Sequence, residues 1–222
     1  MIIDKLLPKG EYYEDIVKKN TIYIHHTAGS HRPDYTIDGW ANDKNSAGGK
    51  LLVGTAYVIG GISTRDRNAD FDGVIVRAFD DKYWAHHLGT KLANNKILNQ
   101  KSVGIEICNY GPCHKTPDGK YLNYVNSEVP ADMVYQLTTP WKGFTHYHKY
   151  TTKQIQALKE LLVKIGKTHS IDLKKGIQFS NSFDISVAAE SGQPGLWTHT
   201  SVRSDKFDCS PQPELIAMIK TL

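Results

Sequence analysis

The chain has 222 residues, 40% hydrophobic and 23% charged, with three cysteines and a formal net charge of +4. That length suits one globular domain with a full core. No run approaches 18 consecutive apolar residues, which excludes a transmembrane helix, and no dense Lys/Arg block interleaved with aromatics speaks for nucleic-acid binding.

The first predicted element is a strand over 21–27. Its alternation puts Ile22, Ile24 and His26 on one face and Tyr23, His25 and Thr27 on the other. His25 is therefore expected on a polar face at the end of an apolar strand. A short helix over 34–41 and a glycine-containing loop over 45–50 follow, then strands over 55–60, 73–79 and 102–108. The stretch 111–148 carries Pro112, Pro117, Gly119, Pro130 and Pro140 together with several Tyr and His. It reads as a loop-rich insertion beside the core that lines a groove, or equally as a surface excursion packed for stability. Thr151 and Gln154 make a capping-box pattern for a helix over 151–166, with Ile155, Leu158, Leu161, Leu162 and Ile165 on one face and Gly166 at its end. A last helix starts at Pro211 or Pro213 and runs through Leu215, Ile216 and Ile219. Strands interleaved with helices predict an α/β fold, a single mixed sheet flanked by helices, with residues 1–222 forming one domain.

Five residues carry the chemistry. His25, His199 and Asp208 offer two imidazoles and a carboxylate, an open set of the kind that holds catalytic zinc rather than a closed structural one. Read singly, each is an ordinary surface or core residue. Glu106 interrupts the apolar run Val103-Gly104-Ile105-Glu106-Ile107. A carboxylate there costs several kcal/mol unless it has a partner, so Glu106 is the candidate general base, against a plain ion pair with a structural Lys or Arg. Lys206, two positions before Asp208, is the candidate to stabilise an oxyanion, typically worth about 3–4 kcal/mol; its bland reading is a solvated loop lysine. Cys108, Cys113 and Cys209 are odd in number and lack zinc-ribbon spacing, so they read as reduced thiols.

Five segments then occur in a familiar order: Ile24-His25-His26-Thr27-Ala28-Gly29, Tyr57-Val58-Ile59, Trp84-Ala85-His86-His87-Leu88-Gly89, Ser102-Val103-Gly104-Ile105-Glu106-Ile107, and His199 through Asp208. On these the chain resembles the zinc-dependent N-acetylmuramoyl-L-alanine amidases, a family that includes phage amidases, recycling amidases and peptidoglycan-recognition proteins. The resemblance implies Zn2+ held by His25, His199 and Asp208, with adjoining Cys209 as the alternative third ligand. It implies a proton shuttle at Glu106 and a groove edge at His87 and Trp84; Tyr57 is read as groove or core. His26 and His86 are expected to be structural. Thr55 stands where phage members carry a catalytic Tyr, so the base role passes to Glu106. The implied substrate is peptidoglycan, cut between N-acetylmuramic acid and L-alanine. The implied setting is a monomeric endolysin made in the cytoplasm without a signal peptide and reaching the wall through lysis or a holin-type lesion. A non-catalytic peptidoglycan receptor, a recycling amidase and a zinc hydrolase of another amide are the competing readings.

Overall fold

The computed structural model describes residues 1–177 and 183–222. Chain order begins with β1 (Ile2–Asp4), β2 (Thr21–His26), α1 (Pro33–Asn42), β3 (Tyr57–Ile59), β4 (Ile75–Arg77), α2 (Asn95–Lys101) and β5 (Ser102–Ile107). It continues through β6 (Pro112–Lys115), β7 (Tyr121–Leu122), β8 (Glu128–Val129), β9 (Val134–Trp141) and β10 (Phe144–His148). Then come α3 (Thr152–His169), α4 (Val187–Glu190), β11 (Gly195–Thr198) and α5 (Pro213–Ile219).

A six-stranded mixed sheet in the order β1-β4-β3-β5-β2-β11 forms the centre. The three strands β5, β2 and β11 are mutually parallel, and β3 runs parallel to β5. Parallel strands need both faces covered, and β2 is buried along its whole length. Ile22 and Ile24 pack with α3 and α5 residues such as Leu158, Leu162 and Leu215. Tyr23 packs on the opposite face with Leu98, Ala189 and Trp197, under α2 and α4. The face expected to be polar is thus a second apolar layer, because a central parallel strand has no solvated side. The α/β class and the mixed sheet between helices are those the sequence implies.

Two boundaries differ from expectation. Gly166 does not end α3, which runs on to a left-handed Ser170 (φ 56°). Gly166 instead leaves room for Leu173, which a Cβ there would approach to 3.1 Å. The stretch 111–148 is not loop-rich: it forms a five-stranded antiparallel sheet, β8-β7-β6-β10-β9. Its prolines sit where a sheet tolerates them, Pro112 opening β6 and Pro140 on the edge strand β9. Among the described residues, no helix is long and apolar enough to cross a membrane.

Candidate functional site

Register alone brings the first pair together. β2 and β5 are aligned so that His25 lies opposite Glu106, both near the C-terminal ends of their strands. β11 pairs with β2 so that Thr198 lies opposite Ile24, and His199 follows at the next level as the chain turns. A site at the carboxyl ends of parallel strands is the usual consequence of such a sheet.

The third member arrives through the loop after β11. Asp208 Oδ2 lies 2.9 Å from His199 Nδ1 and 3.2 Å from His25 Nδ1, all three residues being buried. Burial alone would raise the Asp208 carboxyl, but the His199 and His25 imidazoles against it prevail and hold it well below the usual carboxylate range. Burial, helped by His199, lowers His25 to about 4, so its ring is neutral and keeps a free lone pair at neutral pH.

These atoms fit a metal ion. His199 Nε2 is 2.7 Å from the Leu88 carbonyl oxygen, which can only accept, so that nitrogen carries the ring proton. In neutral His199 the lone pair is then on Nδ1 and faces a carboxylate oxygen. Two such acceptors at 2.9 Å need a positive charge between them, a proton or a cation. A tetrahedral zinc with bonds of about 2.0–2.1 Å keeps its donor atoms about 3.3 Å apart, close to the spacings here.

Around this cluster a groove of about 630 Å³ opens, lined by His25, His87, Glu106, His199, Lys206 and Asp208 among others. Glu106 Oε2 is buried and has no hydrogen-bond partner. Burial, with the Asp208 charge adding to it, pushes Glu106 well above the ordinary carboxylate range, while the Lys206 ammonium pulls the other way. The opposite wall comes from the second sheet and its flanks, through Tyr110, Pro112, His114, Tyr124 and Phe144. Phe144 also packs edge-on against Phe207, and Lys142 Nζ donates to the Ser204 carbonyl at 2.8 Å, so β10 and the turn before it brace the loop that carries Lys206 and Asp208.

Of the residues singled out in the sequence, His25, His199, Asp208, Glu106, Lys206 and His87 converge on this groove. Trp84 does not, which corrects its expected place at the groove edge; Tyr57 does not either, and of its two expected places takes the core. Trp84 is buried and stacked on Tyr13 at 3.8 Å. Tyr57 is buried in the sheet, its hydroxyl donating to Asp81 at 2.9 Å. Both are large apolar rings for which the core offers more burial than a groove rim does. Thr55 is also buried, bonded to the Tyr57 carbonyl, and does not line the groove. Cys209 lies within the apolar core, so the carboxylate and not the thiol faces the two imidazoles. His86 packs edge-on against Trp84, and His26 Nδ1 lies 2.8 Å from the Tyr150 hydroxyl while the residue also lines the groove. His87 holds its Nδ1 3.0 Å from His25 Nε2, behind the cluster as well as at the groove wall. The Leu88 carbonyl, which orients His199, has no signature in a sequence, since any residue supplies a carbonyl.

A family model described as N-acetylmuramoyl-L-alanine amidase matches residues 16–206. No curated protein matches the chain significantly. Among solved structures, PlyL aligns with a TM-score of 0.54 at 12% identity, covering 99% of this chain and 97% of its own. The PlyG catalytic domain aligns at 0.55 and 13%, over 100% and 94% of the two chains. The Ph2119 endolysin, from the Thermus scotoductus MAT2119 bacteriophage Ph2119, aligns at 0.51 and 13%, over 99% of both. At these identities the likeness is one of fold.

Proposed function

The chain belongs to the N-acetylmuramoyl-L-alanine amidase family, and from that premise we propose that it is a zinc-dependent peptidoglycan hydrolase of the endolysin type. The bond cut is the amide between the lactyl group of N-acetylmuramic acid and L-alanine of the stem peptide. The observation that carries this reading is the convergence of His25, His199 and Asp208 beside an unpartnered, buried Glu106 oxygen in one groove.

His25 Nδ1, His199 Nδ1 and Asp208 Oδ2 would hold the ion. Zinc bound there supplies Lewis acidity, polarising a carbonyl and making water acidic near neutral pH. Glu106 Oε2 has no competing hydrogen bond, so it is free to take a proton from attacking water and return it to the departing alanine nitrogen. Lys206 lines the same groove and its charge reaches Glu106, which suits it to steady the negative oxygen that develops on the carbonyl. The aromatic side chains of Tyr110, Tyr124 and Phe144 in the lining offer the substrate an apolar surface.

The test is clearance of a purified peptidoglycan suspension, followed by mass spectrometry of the fragments. Released stem peptides beginning at L-alanine are expected, with clearance lost on chelation, restored by zinc and absent in His199→Ala. Equal clearance with the metal stripped, or fragments cut within the peptide, would overturn the proposal. The endolysin role predicts in addition that the protein lyses cells only once their membrane is permeabilised.

A further inference from the structure

His87 and Ser102 lie outside the ion-holding set, yet every polar atom they own is committed in one direction. Ser102 Oγ sits 2.7 Å from the Leu98 carbonyl and 3.3 Å from the Asn99 carbonyl. Carbonyls only accept, so the single hydroxyl proton is spent there. Towards His87 Nε2, 2.9 Å away, Ser102 Oγ must then accept. His87 therefore carries its proton on Nε2, which leaves Nδ1 bare, and that bare nitrogen lies 3.0 Å from His25 Nε2. His25 in turn must donate from Nε2, so its other nitrogen, Nδ1, has no proton and points at Asp208.

We infer that His87 and Ser102 are positioning residues, a hydrogen-bond relay from the Leu98 carbonyl that fixes the tautomer of His25 and turns a bare Nδ1 into the site. The same short segment serves the other imidazole. Asn99, fully buried, accepts from the backbone N–H of His87 at 2.8 Å and of Leu88 at 3.1 Å. It thereby holds the Leu88 carbonyl that accepts from His199 Nε2. The end of α2 and the start of β5 thus orient both rings from behind. Gly104 is part of the arrangement: a Cβ there would lie 3.1 Å from the His87 ring and 2.7 Å from Thr55 Cγ2. Outer partners of this kind are commonly worth 10–100-fold in metal affinity.

The inference rests on the metal-site reading, but its first test does not need a metal. In metal-free, 15N-labelled wild-type protein at neutral pH, long-range proton–nitrogen spectra should show both His25 and His87 protonated on Nε2. A proton on Nδ1 of His25, received by Asp208, would overturn the relay. The second test measures zinc affinity by competition with a chelator. Ser102→Ala is expected to weaken binding roughly 10–100-fold, with Ser102→Thr restoring most of it and the metal-free melting temperature of the two variants alike. Unchanged affinity in Ser102→Ala would also overturn the relay. A wild-type protein that takes up no zinc would defeat the metal-site reading, while the tautomer measurement would still decide the relay.

Discussion

Glu106 is placed by a register that its own sequence neighbourhood encodes: flanking Ile105 and Ile107 are fully buried, and the pairing of β5 with β2 sets it beside His25. Replacement by Gln preserves volume and removes the titratable oxygen. If Glu106 moves the proton, Glu106→Gln should lower turnover by about 10²-fold or more while leaving zinc stoichiometry at the wild-type value. Metal content by atomic emission, measured beside turnover on the same preparation, separates a lost base from a lost site. An active Glu106→Gln enzyme would remove the residue from the mechanism. At this scale the chemistry was legible because charged groups stand out in apolar runs. Trp84 misled, and Tyr57 stayed open between groove and core, because an aromatic side chain looks the same in a sequence whichever of the two it faces. Its burial is decided by distant partners such as Tyr13 and Asp81.

Among the elements, α3 was the most legible. Its capping box forms as the Thr151–Gln154 pair predicts: the Thr151 hydroxyl accepts from the Gln154 N–H, and the Gln154 side chain answers the Thr151 N–H. The cap does two further things. Thr151 Oγ1 donates to Asp72, and Gln154 Nε2 donates to the Cys108 carbonyl at 2.8 Å, tying α3 to the chain just after β5. Thr151→Ala is therefore expected to cost about 1 kcal/mol or somewhat more, read as a lower urea midpoint with an unchanged slope. No change in midpoint would mean the cap is idle. The second sheet was illegible for the opposite reason. Its strands are two to eight residues long, carry Lys, Thr and Pro, and pair out of order, β6 lying between β7 and β10. Local propensity says little about such strands; their stability comes from pairing and from a small cluster of Cys113, Val129, Met133 and Val134.

For the whole molecule, the union of the two sheets sets a pH limit. His26 and His148 are buried where the second sheet meets the first, and both are neutral in the fold. Burial lowers His26 to about 4, and burial with His26 nearby lowers His148 to about 3. His148 Nδ1 accepts from the Tyr110 N–H at 3.2 Å, and the Asn109 side chain donates to the His148 carbonyl at 3.1 Å, so the groove wall hangs on this ring. In the unfolded chain both rings titrate near 6.5. Folded values below unfolded ones mean that the unfolded state binds more protons between these limits. The stability they confer is complete above about pH 6.5 and drains away as pH falls towards 4. Both rings act in the same direction across this range, so each adds to the loss of stability as pH falls. The metal-free protein should therefore lose melting temperature steeply between pH 6.5 and 4.5, and His148→Gln should flatten that slope even where it lowers the neutral-pH value. A melting temperature that stays level across this range would show that these rings accept protons without disturbing the fold, and that the groove wall is held by something other than their neutrality.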